Sequence, residues 1–397
     1  MVTVEEATRL IHENLYQPQK EKVEVHQSIG KILAESIQAD RDLPPFDRVT
    51  MDGIAIRFET YQRGIKTFSI QSTQAAGEPA HILQQESNCI EVMTGAMLPQ
   101  HTDCIVPYEA ITIHEGKATI ITAPSGFQNI HRQGLDAKAS DVLLSAGQKI
   151  SPAEVAVIAS VGKKNIEVMK SPTIAIVSTG DELVPIESTP KPHQIRRSND
   201  VALATALASM NIPASVFHFR DDEQELQKQL KTVIGNHDVI ILSGGVSKGK
   251  FDFVPGVLEQ SGIRKIFYQI SQRPGKPFWF GRSDRQFVFA LPGNPVSTYM
   301  CFYRYIKPWL RRSMGETFEI SKVILAKDFS FKPELTHFLQ VRVRNEEGTL
   351  KAYPQPGGGS GDFANLKEVD GFLELPKQRS QFQAGEAFDY YPFRGVL

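Results

Sequence analysis

A glycine-rich stretch with two lysines and an aspartate has the residue types that could bind a phosphate. It reads SGGVSKGKFDF and spans positions 243–253. Gly244, Gly249 and Lys250 match most of the nucleotide-binding pattern G-x-x-x-x-G-K-[ST]. That pattern ends in Ser or Thr because its hydroxyl binds the Mg²⁺ that bridges the phosphates, whereas Phe251 offers only an apolar ring. The stretch is therefore not a P-loop, and the rest of the chain must indicate its ligand.

Four segments of this type follow predicted strands in the same part of the chain. They contain Thr179, Gly180, Asp181 and Glu182; Ser243, Gly244 and Gly245; Arg273, Pro274, Gly275 and Lys276; and Pro292, Gly293, Asn294 and Pro295. Glycines let backbone N–H groups approach an anion, and Arg273 and Lys276 add positive charge. Glu182 and Asp252 can hold a divalent cation or accept a proton. Together the segments predict a site for a phosphorylated ligand and a hard metal ion.

Each segment also has a purely structural explanation. A Gly-Gly turn after a strand usually only connects that strand to a helix. Pro292 and Pro295 can stop a strand and start a helix, with Asn294 as the N-cap. Glu182 and Asp252 can be solvated carboxylates at helix starts. The sequence Asp52-Gly53 is equally typical of a turn. Only the convergence of all four loops favours a functional site.

The elements that must position these loops alternate regularly from about residue 172. The predicted strands are TIAIVSTG, ASVFHFR, DVIILSGG, IRKIFYQISQRPGKP and QFVFALPGN, and the predicted helices are NDVALATALASM, DEQELQKQLKTVIG, a segment around FVPGVLEQSG and PVSTYMCFYRYIKPWLRRSMG. This βαβ series predicts an open, mostly parallel sheet between two layers of helices. Ligands of such sheets bind beyond the carboxyl ends of the strands, where all four loops fall.

The flanking regions predict three further domains of a multidomain α/β protein. Residues 1–53 and 124–171 form an N-terminal helical and extended domain, in which Ser151 and Pro152 begin a helix. Residues 54–123 form a β-rich insertion, and residues 172–318 form the α/β domain. Residues 319–397 form a β domain resembling a barrel.

Composition excludes several classes of function. The chain has 397 residues, of which 41% are hydrophobic, so it can build real cores. Its 44 basic and 45 acidic residues leave a net charge of −1, which gives no argument for nucleic acid or membrane binding. The three cysteines, Cys89, Cys104 and Cys301, support neither a disulfide framework nor a zinc site. With a polar, acidic start, the sequence predicts a cytoplasmic protein.

Seven motifs occur in the order found in one known family. They are LPPFDRVTMDGIAI, MTGAMLPQHTDCIVPYE, NIHRQGLD, STGDELV, SGGVSKGKFDFV, RPGKPFWFG and LPGNPVS. The chain thereby resembles, over nearly its whole length, the molybdopterin molybdenumtransferases of the MoeA family, to which the E domain of gephyrin is related. The resemblance implies an elongated homodimer of four-domain subunits that inserts molybdate into adenylylated molybdopterin, with release of AMP and the assistance of Mg²⁺. It also implies an active cleft between the α/β domain of one subunit and the N-terminal region of the other.

The resemblance implies roles for individual residues. Ser247 and Asp252 match positions for the ligand and Mg²⁺, and Arg273 and Lys276 match the paired cationic positions. Ser360 matches a serine implicated in molybdate binding. The functional polar positions of the family are matched by Asp52, Thr94, Asp136 and Glu182. Transient contacts with a molybdopterin adenylyltransferase and with apo-molybdoenzymes are also expected.

Three positions depart from the family pattern. Arg197 and Lys250 stand where the family commonly has acids, and Gln340 stands where it has an arginine. Arg342 could present its guanidinium on the same strand face as Gln340, because side chains alternate along a strand. We favour redistribution of charge within one cleft, with Arg197, Lys250 or Arg342 binding phosphate or molybdate, since Asp52, Glu182 and Asp252 remain.

Other functions stay open at this point. A catalytically altered paralogue could bind molybdopterin or its AMP adduct as a carrier or scaffold. A molybdopterin adenylyltransferase typically carries GGTG where this chain has GGVS, and a competence-damage-type nucleotide hydrolase carries GGLGPT there. A scaffold needs extra linker and partner domains. The sequence therefore favours the molybdenumtransferase.

Overall fold

The computed structural model describes residues 1–245 and 254–395. These residues form three six-stranded sheets and several two-stranded ones, with helices concentrated around one of the large sheets. None of the helices in these ranges has both the length and the apolar character needed to span a membrane.

The N-terminal region pairs two distant stretches of chain. Strand β1 (Lys20–Glu24) runs antiparallel to β12 (Asn165–Met169). The other elements are α1 (Val4–His12), β2 (Ile37–Gln38), β3 (Arg48–Val49), β10 (Ile130–His131), β11 (Val142–Leu144) and α3 (Pro152–Ser160). The helix start predicted at Ser151 is confirmed, because Ser151 and Glu154 form a reciprocal capping box there.

A mixed six-stranded sheet contains the β-rich stretch of the sequence. Its strands and one short helix are β4 (Gly53–Ile56), α2 (Phe58–Gln62), β5 (Thr67–Gln74), β6 (Asn88–Val92), β7 (Cys104–Pro107), β8 (Ile111–His114) and β9 (Lys117–Ile120). The spatial order is β7-β4-β6-β5-β9-β8. Ile54, Ile56 and Phe68 are fully buried in its core, which explains the apolar runs of this region. The predicted domain boundaries themselves stay a prediction.

The α/β domain contains the second six-stranded sheet. Its strands are β13 (Ile174–Thr179), β16 (Ala214–Phe219), β17 (Val239–Ser243), β18 (Arg264–Tyr268), β20 (Trp279–Arg282) and β21 (Phe287–Leu291). The order is β16-β13-β17-β21-β20-β18, and the first four strands are parallel. β20 runs antiparallel to both of its neighbours, β18 and β21. The predicted open, mostly parallel sheet is confirmed.

Helices cover both faces of this sheet. They are α4 (Asn199–Ala208), α5 (Glu223–Asn236), α6 (Val254–Gln260), α7 (Pro295–Cys301), a π-helix (Phe302–Ile306) and α8 (Lys307–Ser313). Ile174 and Ile176 of β13 pack on the side of α4, α7 and α8, whereas Ala175 and Val177 pack against α5 and α6. Successive side chains of a strand point to opposite faces, so a fully buried strand requires this three-layer arrangement.

The C-terminal region is a closed barrel. Its strands are β22 (Lys322–Leu325), β24 (Thr336–Glu346), β25 (Thr349–Pro354), β26 (Gly371–Leu375) and β28 (Ala387–Pro392), with β23 (Phe329–Ser330) and β27 (Gln381–Phe382) paired beside them. Pairing of β24 with both β25 and β26 closes the ring of five strands. The predicted barrel-like domain is confirmed, and closure leaves it without free sheet edges.

A strand pairing and a buried ion pair are among the contacts that fasten the barrel to the α/β domain. Strand β19 (Gln272–Arg273) pairs in parallel with the start of β24. Arg304, in the π-helix, donates to Glu374 of β26 at 2.6 Å and to Thr8 of α1 at 3.2 Å. Arg304 is only 9% exposed, so one buried guanidinium joins three parts of the chain.

Candidate functional site

The four strand-end segments line one crevice. Its cavity has a volume of about 730 Å³ and lies beyond the carboxyl ends of β13, β17 and β21. Of the residues predicted for the site, the lining includes Thr179, Gly180, Glu182, Arg197, Ser243, Gly244, Gly245, Arg273, Pro274, Gly275, Lys276, Pro292, Gly293, Asn294, Pro295 and Ser360. The rule that parallel sheets bind ligands at this edge thus brings together segments from Thr179 to Pro295, and Ser360 of the C-terminal region joins them in the lining.

Close backbone packing explains the two glycines after β17. Gly244 and Gly245 have φ values of +101° and +69°, which residues with a Cβ rarely adopt. A Cβ on Gly244 would lie 2.9 Å from the carbonyl oxygen of Thr179. The Thr179 hydroxyl is buried and has no hydrogen-bond partner among the described residues. An unpartnered hydroxyl in the wall of a cavity is a group that a polar ligand can satisfy.

Asn199, which sequence reasoning missed as a site residue, ties two of the loops together. Its Nδ2 donates to Ser243 Oγ at 2.9 Å and to the Gly293 carbonyl at 2.7 Å. The only available signal was its position two residues after Arg197, at the start of a predicted helix. The amide holds the second and fourth loops at a fixed distance across the crevice.

The fourth loop also binds the C-terminal region. Asn294 Nδ2 donates to Ser360 Oγ at 2.9 Å, and the Val296 N–H donates to the Ser360 carbonyl at 3.2 Å. Asn294 immediately precedes α7, but its side chain makes no capping hydrogen bond. Asn294 thus occupies the predicted N-cap position, with Pro295 as the first residue of α7, while its amide bonds to Ser360 rather than to the helix.

A buried polar pair supports the third loop from below. Tyr305 Oη donates to Gln272 Oε1 at 2.5 Å, and Gln272 Nε2 donates to the Gly275 carbonyl at 2.9 Å. Gln272 is fully buried and Tyr305 nearly so. Burial raises the pKa of Tyr305 well above its ordinary value, so its hydroxyl keeps its proton and remains a donor. Sequence reasoning missed both residues, since neither type signals a support role.

Positive charge is concentrated along the crevice. Arg273 and Lys276 are exposed, and neither forms an ion pair within residues 1–245 and 254–395. Arg197 lies 3.7 Å from Asp200, whose carboxylate is nearly fully buried. The Arg197 Nε is itself buried without a hydrogen-bond partner among the described residues. Four cations (Arg196, Arg197, Arg273 and Lys276) and three carboxylates (Glu182, Asp200 and Asp221) line the cavity. The lining thus has one more cation than carboxylates, and the exposed pair Arg273 and Lys276 is available to an anion.

Glu182 is an exposed carboxylate of the lining that fits a metal-assisted site. It is exposed beside Gly180 and lines the same cavity as Arg273. Across the described ranges, no three His, Cys, Asp or Glu residues converge on one point. Mg²⁺ is commonly held by one or two carboxylates together with substrate phosphates, so a single carboxylate in an anion-binding crevice is compatible with it. Ser247, Lys250 and Asp252 lie outside the described residues.

The remaining predicted residues lie away from the crevice lining. Asp52 accepts hydrogen bonds from the Thr94 hydroxyl and backbone N–H, both at 2.6 Å, and these bonds lower the pKa of its carboxyl group. The Asp136 carboxylate oxygen Oδ1 lies 2.9 Å from Nε2 of His131. Within one chain, Asp52, Thr94 and Asp136 are not part of the crevice that the four loops line.

Arg342 of β24 does not line the crevice, so it does not replace there the arginine expected at the position of Gln340. Gln340 is 6% exposed, and its Oε1 has no hydrogen-bond partner among the described residues. Arg342 is exposed two positions further along and lies 3.9 Å from Glu368. It is not part of the lining, so a role for Arg342 in anion binding remains a prediction.

Comparison with known proteins gives a consistent result along the whole chain. Residues 2–162 match the MoeA N-terminal region (domain I and II), residues 175–312 match the probable molybdopterin binding domain, and residues 322–393 match the MoeA C-terminal region (domain IV). A molybdopterin molybdenumtransferase from Synechocystis is 39% identical, over 98% of this chain and 100% of the relative. One from Haemophilus influenzae is 30% identical, over 100% of both chains.

A solved structure agrees with the same assignment. The molybdopterin biosynthesis MoeA protein from Pyrococcus horikoshii superposes with a TM-score of 0.84 at 28% identity, covering 100% of both chains. The order of the motifs, the four-loop crevice and these full-length similarities agree: the chain belongs to the MoeA family.

Proposed function

We propose that this protein inserts molybdate into adenylylated molybdopterin, releases AMP, and is assisted by Mg²⁺. Membership of the MoeA family makes it a transferase of molybdenum cofactor biosynthesis. The observation that carries the finer proposal is the convergence of four glycine-containing loops and four cations on one crevice. Both substrates are anions, and molybdopterin brings its own dithiolene sulfurs, so the protein needs anion-binding loops rather than cysteine ligands.

Each part of the crevice has a proposed task. Arg273 and Lys276 bind the phosphate oxygens of the substrate, and Arg197 binds a second anionic group. The backbone at Gly244 and Gly245 approaches the pterin phosphate closely because no side chain intervenes. Ser360, held by Asn294, contributes a hydroxyl at the molybdate end.

Release of AMP requires cleavage of the bond between the two phosphates of the adduct by water. Glu182, with Asp252, would hold Mg²⁺ together with substrate phosphate oxygens, and the ion would neutralise charge that develops on the leaving phosphate. Arg273 adds positive charge at the same oxygens in our proposal.

We also propose that the working enzyme is a homodimer. Asp52, Thr94 and Asp136 lie outside the crevice lining of their own chain. A second copy could supply them from its N-terminal region, which is what the family resemblance implies. Transient contacts with a molybdopterin adenylyltransferase and with apo-molybdoenzymes, in the cytoplasm and without nucleic acid, belong to the same proposal.

Single-turnover conversion tests the proposed reaction. Purified protein is mixed with adenylylated molybdopterin and molybdate, with Mg²⁺ or with a chelator, and AMP release is followed together with activation of an apo-molybdoenzyme. We expect both products only when Mg²⁺ is present. Tight binding of the adduct without AMP release would contradict the proposal and indicate a carrier.

A matched pair of variants localises the chemistry. Arg273→Ala should slow turnover strongly, because it removes a cation that lines the crevice. Arg285→Ala is the control, since Arg285 is exposed just before β21, at the opposite edge of the same sheet. Equal activity of the two variants would argue against anion binding by Arg273.

A further inference from the structure

A second, smaller cavity lies between the N-terminal region and the outer helices of the α/β domain. Its volume is about 240 Å³, large enough for a tetrahedral oxyanion with several waters. One wall is formed by Gly30, Lys31, Ile32, Lys149, Met169 and Ser171, and the other by residues 209–212 and parts of α8 and its C-terminal end. None of the predicted site residues lines it.

The basic side chains of this cavity are incompletely neutralised. Arg311 forms a two-pronged ion pair with Glu316, at 2.9 and 2.6 Å, so these two charges offset each other. Lys31 is likewise paired with Glu21 at 2.8 Å. Lys149 and Lys307 have no carboxylate partner within 4.0 Å in the described part of the chain. Two positive charges therefore remain for one ligand.

Lys307 occupies an unfavourable position in the free protein. It is partly buried, with its ammonium 4.9 Å from the centre of the Tyr303 ring. Burial is the largest cause that lowers its pKa, the charges of Arg311 and Lys149 lower it further, and the charge of Glu316 opposes them only in part. A bound anion would offset the repulsion.

We propose that this cavity binds a tetrahedral oxyanion, such as sulfate, phosphate or molybdate, between the ammonium groups of Lys149 and Lys307. The hydroxyl of Ser171 and the amide of Asn211 are further polar groups in its walls. The bound anion cross-links the N-terminal region to α8, so occupancy stabilises the arrangement of these two parts. This site is independent of the crevice and of the reaction proposed for it.

Calorimetric titration of the full-length protein tests the site. The background is the double variant Arg273→Ala, Lys276→Ala, which weakens anion binding in the crevice and leaves the second cavity intact. Sodium sulfate is titrated at constant ionic strength against a chloride reference. We expect one saturable sulfate site per chain, and thermal stability should rise with occupancy.

Further substitutions in that background assign the residues. Lys307→Met keeps the apolar stem and removes the charge, and it should weaken sulfate binding about ten-fold or more, the loss of one charge-assisted hydrogen bond. Lys149→Gln should also weaken binding and, because Lys149 is exposed, decides the question if Lys307→Met does not fold. Lys117→Met, at an exposed position in β9, is the control and should leave binding unchanged.

The outcomes separate clearly. Absence of saturable sulfate binding in the background variant, or binding that survives both cavity substitutions, would overturn the proposal. Parallel titrations with phosphate and molybdate show which oxyanion the site prefers. Preference for molybdate would make this a second molybdate site, and similar affinities would make it a general oxyanion site.

Discussion

The hydrogen bond from Tyr305 to Gln272 provides a sharp test of how the third loop is held. Tyr305→Phe removes one oxygen and keeps the ring, which packs against Phe278 with the ring centres 5.2 Å apart. The change leaves Gln272 Oε1 buried and without the donor that lies 2.5 Å away. An unsatisfied buried acceptor costs about 1–3 kcal/mol, so the free energy of unfolding of the α/β domain should fall by that amount.

Tyr305→Phe should also let the third loop move, in addition to lowering the free energy of unfolding. Gln272 Nε2 holds the Gly275 carbonyl at 2.9 Å, in the segment that carries Arg273 and Lys276. Once Gln272 is free to rotate, these two cations are less well positioned for the phosphates. We expect the KM for the adenylylated substrate to rise more than kcat falls, which a purely structural defect would not produce.

The two tryptophans provide a probe of unfolding, and Tyr299 provides a control substitution. Both tryptophans, Trp279 and Trp309, are fully buried in the α/β domain, so urea unfolding followed by tryptophan fluorescence reports on that domain. Tyr299→Phe is the matched substitution, because Tyr299 is partly exposed and its hydroxyl lies 3.5 Å from that of Tyr303, a long contact. Its effect should stay within about 0.5 kcal/mol. Equal unfolding midpoints and equal KM values for the two variants would refute the supporting role of Tyr305.

Three further predictions concern other contacts. Gly244→Ala forces a Cβ to within 2.9 Å of the Thr179 carbonyl oxygen at φ +101°, and it should cost about 1–3 kcal/mol and most of the turnover, measured by urea unfolding and AMP release. Arg304→Met leaves the Glu374 carboxylate partly buried and without its arginine, and it should lower the unfolding free energy by about 3 kcal/mol. Burial lowers the pKa of His337 from 6.5 to about 4, so the stability that neutral His337 provides is complete above pH 6.5 and is lost as the pH falls towards 4, as pH-dependent thermal unfolding should show.

Controls for these predictions come from the same chain. Gly256→Ala lies in α6 with open space around its Cβ, and it should be neutral or stabilising. Replacing Glu374 with Met in the Arg304→Met variant removes the orphaned charge and should recover most of the lost stability. His337→Asn should flatten the acid side of the stability profile. A profile unchanged by that substitution would mean that another group titrates there.

Local pattern was sufficient to predict the α/β sheet and the barrel. The buried strands β13, β17 and β21 are continuous apolar runs, and each is followed by a glycine turn, so type and order could be predicted. Strand β20 was missed, because its four residues come just after the RPGKP segment, whose prolines do not indicate a strand. The π-helix was missed too, since all five of its residues are buried and the spacing of apolar residues there shows no change of helical register.

The crevice was predictable for a topological reason, and its internal contacts were not. Strand ends of one parallel sheet must meet, so four loops could be assigned to one place. The bonds from Asn199 to Ser243 and from Asn294 to Ser360 span 44 and 66 positions. Contacts at such separations depend on how whole domains pack, which local pattern does not encode.

A crystal structure with adenylylated molybdopterin tests the central claim most directly. We predict that the phosphates lie in the crevice beside Arg273 and Lys276, with the backbone of Gly244 against the pterin phosphate. A dimer partner's N-terminal region should close the site. An adduct bound elsewhere, away from all four strand-end loops, would contradict the account.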